Sequence, residues 1–323
     1  MSPGAAIRRI VRPPLARAHE LALRWSSRKV GLALMYHRIE RSAGDPRTEL
    51  APALDLATYR AQARYLTQRY RVVPASRLGA EVGRRRRGER VPVAITFDDD
   101  TRTHVEHAAP VLRSLGVPGT VFLSGASLDR PYAFWWERLQ AVIDDRLPVA
   151  AIAERLDLPC GDSPPMDVHA LGGIIERLPA AARAAVSARL GELAGPDPSG
   201  AGLRAGDVRR LVELGVEVGF HTRDHDVLTR LDDDALARAL TVGRPELEAA
   251  VGRPLDVVAY PHGAADGRVA CAARRAGFRA GFTGRREAIG PGTDRFLMGR
   301  LEAPRLTSWP FALYVARLLR AAR

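Results

Sequence analysis

"VPVAITFDDD", Val91 to Asp100, is an apolar, β-rich run that ends in three adjacent acids. A short apolar run of this kind, bounded by charged residues, reads as a buried strand. Its surroundings set the fold. "HAAPVLRSLG" follows as a helix closing at Gly116, and "VPGTVFLS" as another short strand. Strand, helix and strand within about thirty residues make a right-handed βαβ unit with parallel strands. The alternation recurs downstream as "VEVGF", the helix "DDDALARALTVGRPELEAAVG", "LDVVAYP", the helix "GRVACAARRAG" and "FRAGFTG". It predicts a parallel α/β sheet or barrel.

Upstream, "VGLALMYHRI" (Val30 to Ile39) reads as a strand and "DLATYRAQARYLTQRY" (Asp55 to Tyr70) as a helix behind a capping aspartate. "RVVPASRL" reads as a strand and turn, and "EVGRRRRGER" as an exposed, solvated loop. Between about Leu128 and Gly206 the chain turns rich in Ala, Leu and Arg and loses strand signals. That segment is expected to be a helical insertion on a domain spanning 30–323, with 1–29 as a basic tail or amphipathic helix.

The chain has 323 residues, is 46% apolar and carries a formal net charge of +12, almost wholly from arginine, since Lys29 is its one lysine. It reads as globular, with a basic surface that is most simply solvated but would attract anionic glycans, phospholipid headgroups or nucleic acid. No nucleic-acid-binding module is recognisable, so no nucleic-acid partner is expected. Cys160 and Cys271 are far apart, without a CxxC pattern, and support neither a disulfide framework nor a cysteine metal site. The N-terminal stretch is studded with arginines and lacks the apolar core of an export signal, and no 18-residue apolar run appears elsewhere. The expectation is a cytoplasmic protein that can sit peripherally on the membrane face through a basic helix near Pro14–Trp25.

In parallel α/β folds the carboxyl ends of the strands carry the active-site loops. The acids of "TFDDD" stand at one such end, and "HTRDH", His221 to His225, stands at another, after "VEVGF". Two histidines four apart and a carboxylate from a neighbouring strand suffice for a three-ligand metal site with an open fourth position. Each part has a plainer reading as well: the acids can cap the next helix, and the histidines can be a solvated loop pair. Their joint placement at two strand ends is the specific signal.

On these motifs the chain resembles the polysaccharide deacetylases, also called NodB-homology or carbohydrate esterase family 4 enzymes. "TFDDD" resembles the TFDDG motif, "HTRDH" the H-[ST]-x-x-H motif and "AYPHG" the third motif, while "LMYHRI" and "HAAPVLRSLGVPGTVFL" resemble the flanking elements. The resemblance covers roughly Val30 to Pro304 and implies an irregular (β/α)7 barrel. It implies that Asp98 is the general base, that Asp99, His221 and His225 hold a divalent metal, and that the amide of His262, shaped by Pro261 and Gly263, donates to the oxyanion. Zinc suits such a ligand set, and cobalt or nickel can occupy similar sites. The implied activity is hydrolysis of a non-peptide C–N bond, removing an N-acetyl group from a sugar of a surface polysaccharide or its lipid-linked precursor. Hydrolysis of other linear or cyclic amides and a silent carbohydrate-binding role are the alternatives.

The chain departs from the family pattern in three places. Asp100 replaces the motif's glycine, Ala259 occupies the position of an arginine that pairs with the base, and no histidine follows His262 to act as general acid. Arg300, in "FLMGRLEAPRL", is the expected substitute for the arginine, ahead of Arg305. His37, His262 or a water is the candidate proton donor. Trp135 and Trp136, in "YAFWWERL", either stack on sugar or anchor the insertion.

Overall fold

The computed structural model describes residues 16–159, 165 and 167–321. The residues before Ala16 lie outside these, so most of the basic tail expected at 1–29 is not described. Helix α1 spans residues 16–24. β1 (Leu32–Tyr36), β2 (Ile39–Glu40), β3 (Leu54–Asp55), α2 (Leu56–Arg69), β4 (Arg71–Val72), α3 (Ala75–Arg84) and β5 (Pro92–Asp98) follow. The second half of the first βαβ unit is a π-turn over His104–Ala108, α4 (Ala109–Leu115) and β6 (Thr120–Leu123). Four helices come next: α5 (Trp135–Asp144), α6 (Val149–Arg155), α7 (Val168–Arg177) and α8 (Ala180–Ala194). The chain returns to the barrel with α9 (Ala205–Glu213), β7 (Glu217–Phe220), α10 (Asp233–Ala239), α11 (Arg244–Val251) and β8 (Val257–Ala259). It closes with α12 (Gly267–Arg275), β9 (Ala280–Phe282), β10 (Leu301–Glu302) and α13 (Ser308–Ala321).

The main sheet is parallel, in the order β10-β1-β5-β6-β7-β8-β9, with β4 also paired to β5. Every residue of β5 is buried, as a parallel strand covered on both faces must be. The sheet curls into an irregular (β/α)7 barrel. Its two edges are linked because Met298 bridges to Phe282 of β9 just before the chain enters β10. All the strands therefore point their carboxyl ends to one rim.

Local chemistry explains most element ends. The Asp55 side chain caps α2 by accepting from Thr58 N at 2.8 Å, and α4 stops at Gly116 in the left-handed region. The helix expected over "DDDALARALTVGRPELEAAVG" is two helices, because Gly243 takes φ 80° and Pro245 follows in the first turn of α11. The strand expected over Val30–Ile39 breaks at His37, leaving β1 and the short β2. The loop expected at "EVGRRRRGER" is also corrected. α3 runs through Arg84, and Arg85 is buried rather than solvated.

α5–α8 form the helical part of the segment between β6 and α9. They hold an apolar cluster of their own around Leu139, Ile152, Leu171, Ile175 and Leu190, and α9 packs with the barrel instead. These helices lean over the rim where the strands end.

Candidate active site

Asp98 is the last residue of β5, so its side chain emerges at the rim. Arg300, fully buried just before β10, donates from Nη1 to Asp98 Oδ1 at 2.6 Å and from Nη2 to Oδ2 at 2.7 Å. This fork is the bidentate geometry that guanidinium offers and lysine does not. Burial pushes the Asp98 carboxyl up, but the Arg300 charge and hydrogen bonds, with His221, hold it down at about 2. Arg305 lies elsewhere, donating to the carbonyls of Gly44 and Ala53.

Asp99 turns the chain off the strand with φ 72°, a conformation aspartate tolerates better than most residues. Buried His104 holds this turn from below, its Nε2 2.9 Å from Asp98 O and 3.0 Å from Asp99 O. Facing two carbonyl acceptors, that nitrogen carries the proton, and burial lowers the imidazole to about 4, so it is neutral.

Asp100 has a different task from its neighbours. Its carboxylate accepts from Ser124 N and Ser124 Oγ, both at 2.7 Å. Ser127 Oγ lies 3.4 Å away and gives its proton to the closer Leu203 O, at 2.9 Å. Asp100 thus ties the end of β5 to the loop after β6. The left-handed φ of this turn falls on Asp99, so a side chain at position 100 adds no backbone strain there.

His221 follows β7 directly, and its Nδ1 donates to Ala259 O at 2.8 Å, which leaves Nε2 as the lone-pair nitrogen. The backbone of Ala259, at the position of the family's arginine, therefore orients a histidine. Positive φ at Thr222 and His225 folds the loop back and brings His225 beside His221, their ring centroids 5.0 Å apart. Burial drives both imidazoles down, His221 to about 4 and His225 well below its ordinary value. Both are neutral at pH 7, the form that ligates.

The ligand atoms of Asp99, His221 and His225 lie within 4.8 Å of one another. Asp99 Oδ1 is 3.5 Å from His225 Nε2 and 3.7 Å from His221 Nε2. These gaps are too long for good hydrogen bonds. They are close to the spacing of about 3.3 Å between two ligands that each stand 2.0–2.1 Å from a tetrahedral ion. Asp99 Oδ1 is buried with no hydrogen-bond partner, and burial and the Asp98 charge push its carboxyl well above the usual range. An orphaned carboxylate facing two neutral imidazoles fits a divalent cation.

After β8, Pro261–Gly263 forms a tight 3₁₀ turn with His262 at φ 57° and Gly263 at φ 65°. A Cβ on Gly263 would stand 2.3 Å from Gly284 N, so glycine is required. The His262 ring lies against His225, centroids 4.8 Å apart, and its Nδ1 is 2.8 Å from Glu176 Oε1 on α7. Burial lowers this imidazole and Glu176 opposes the shift.

These groups line one cleft of about 490 Å³, with Asp98, Asp99, His221 and His225 in its floor. His37 and Gly263 belong to its barrel wall, while Trp135, Trp136 and Glu176 come from the insertion. Both tryptophans are half-buried. Trp136 stacks on Phe134 at 4.4 Å and Trp135 packs on the core of the insertion, so the pair anchors the insertion while both rings also line the cleft. His104, Glu176 and Ser124 went unnoticed in the sequence. "THVEHAAP" gives no local sign that His104 turns back on the acids, and Glu176 reaches His262 only through the tertiary fold.

The sequence model of the family described as polysaccharide deacetylase matches residues 85–281. No curated protein matches the chain. Among solved structures, the chain is similar to the deacetylase PplD of Streptococcus pyogenes in complex with acetate, at 14% identity and TM-score 0.58, covering 90% of this chain and 98% of that one. It is similar to IcaB from Ammonifex degensii at 21% identity and TM-score 0.55, covering 90% and 97%. A de-N-acetylase from Aggregatibacter actinomycetemcomitans matches at 14% identity and TM-score 0.57, covering 88% and 99%. At these identities the likeness is one of fold.

Proposed function

The chain belongs to the polysaccharide deacetylase family, and from that premise we propose that it is a metal-dependent N-deacetylase. Its substrate is an N-acetylated sugar of a surface polysaccharide or of its lipid-linked precursor. The observation that carries the reading is the presence, in one cleft, of an arginine-held carboxylate beside an orphaned carboxylate and two neutral imidazoles. Zinc is the expected ion, with cobalt or nickel as substitutes.

Asp99, His221 and His225 would hold a divalent cation, which would supply a Lewis acid and lower the pKa of water toward 7. Asp98 takes the proton from the attacking water. Arg300 fits it for this by fixing its plane and keeping it ionised, and each carboxylate oxygen still has a lone pair to accept with. Asp98 Oδ2 is 3.9 Å from His221 Nε2, so the base stands beside the ligand cluster without joining it. The His262 amide, aimed by the Pro261–Gly263 turn, donates to the oxygen that becomes negative.

The leaving amine needs a proton, and this chain has no later histidine to give one. His262 takes that role, since its ring borders the cleft and, although burial lowers the imidazole, Glu176 2.8 Å away opposes that shift and holds the ring in place. His37, which also lines the cleft, is the second candidate donor. Trp135 and Trp136 offer aromatic faces against which a pyranose ring packs.

Acetate release from a panel of N-acetylated oligosaccharides, measured with and without added zinc, tests the proposal. Release that needs metal and is lost on Asp98→Asn supports it. Stoichiometric metal binding with no acetate from any glycan would refute it.

A further inference from the structure

At the other end of the barrel lies a surface that deacetylation does not use. Leu21 and Trp25, four residues apart at the end of α1, are 42% and 58% exposed. Among the described residues the surface beside them carries Arg24, Lys29, Arg86 and Arg87 against two acids. Glu20 turns inward to Tyr65 and Arg69, and Glu89, exposed, accepts from Arg86 N at 2.8 Å.

The loop between α3 and β5 is clamped to this helix end. Gly88 N donates to Arg24 O and Arg24 Nε to Gly88 O, both at 2.8 Å. A Cβ on Gly88 would stand 3.5 Å from the Trp25 ring, so the ring lies along this loop. Arg85, only 2% exposed, donates to the carbonyls of Leu23, Arg24, Ser26, Arg28 and Glu89. None of these acceptors is a carboxylate. Burying a guanidinium among neutral carbonyls is costly. What it secures is one hydrogen-bonded unit on which Leu21, Trp25, Arg24, Lys29, Arg86 and Arg87 are exposed.

We infer that this unit docks on an anionic phospholipid surface. Trp25 and Leu21 enter the interfacial layer, where an amphipathic aromatic ring is most at ease, and the arginines meet lipid phosphates. Among the described residues no helix is long and apolar enough to cross a membrane, so the contact is peripheral. The clamp precedes the first residue of β5 and Asp98 is its last, about 20 Å further along a strand of this length. Docking leaves the cleft free, and the inference stands apart from the catalytic reading.

Flotation of the full chain with phosphatidylcholine vesicles, with and without phosphatidylglycerol, tests it. Binding is expected on the anionic vesicles alone and should weaken as salt rises. Arg86→Gln with Arg87→Gln should weaken it about tenfold or more, at an unchanged unfolding midpoint. Trp25→Ala should weaken it too. Should that variant disturb the clamp, brominated lipid offers a second readout, since it should quench wild-type tryptophan fluorescence more than that of Trp25→Phe. Equal binding to neutral vesicles, no binding at all, or no difference in quenching overturns the inference. So does duplex DNA binding of equal strength that is indifferent to Trp25, which would mark an unspecific polyanion surface.

Discussion

Arg300 grips both oxygens of Asp98 at 2.6 and 2.7 Å at the cleft floor, where the arginine is fully buried and the aspartate almost so. Two residues 202 positions apart are thereby fixed in one plane, and a buried charge is balanced. Removing one partner of such a pair strands the other. Arg300→Met should cost about 3–5 kcal/mol of stability, read by urea denaturation, and abolish acetate release.

The same pair sets a pH signature. Asp98 falls from an ordinary 3.8 to about 2 in the folded protein, so the folded state binds its proton less readily than the unfolded chain does. The stabilisation from this group is full above about pH 4 and is lost as pH falls through about 2. The stability gap between wild type and Asp98→Asn should therefore narrow across that window in acid titrations. A constant gap would mean that the pair does not govern the ionisation.

Asp99 carries the opposite tension. Its carboxyl is pushed upward by burial and by Asp98, so without a cation the ionised form works against folding at neutral pH. Asp99→Asn should melt at or above the temperature of the metal-free wild type. Zinc should raise the wild-type midpoint and leave the variant unmoved. Differential scanning fluorimetry with chelator and with added zinc reads both at once.

Asp100→Gly tests the tie to the loop after β6. Restoring the motif's glycine removes the acceptor for Ser124 N and the Ser124 hydroxyl, which are buried. A loss of about 1–3 kcal/mol is expected, with the pH optimum unchanged, because Asp100 supports the turn without touching the base. Ser124→Ala should be non-additive with it in a double-mutant cycle.

How much of this was legible in the sequence follows from where each signal lives. The barrel could be read because strand and helix periodicity are local, and Asp98, Asp99, His221 and His225 because they sit at strand ends. Asp100 could not, since its partners belong to the next βα loop and an acid before a helix looks like a cap. Arg85 was hidden inside a charge run that looks solvated. Its burial depends on the carbonyls of α1 and the residues after it, some sixty positions upstream. Glu176 was invisible for the same reason. Residue pairs made by tertiary contact leave no periodic trace.

Glu176 nonetheless yields the sharpest test of how the insertion serves the chemistry. It is the carboxylate 2.8 Å from His262 Nδ1, and it comes from α7 rather than from the barrel. If α7 merely roofs the cleft, Glu176→Gln keeps the shape and a hydrogen-bonding side chain, and only KM should change. If Glu176 orients His262 and favours its charged form for proton donation to the leaving amine, kcat should fall about 10²-fold or more with KM little altered. The second outcome is expected. An activated aryl acetate ester, whose phenolate leaves without needing a proton, should recover most of the lost rate. A variant equally slow on both substrates would place Glu176 in binding and remove His262 from the proton path.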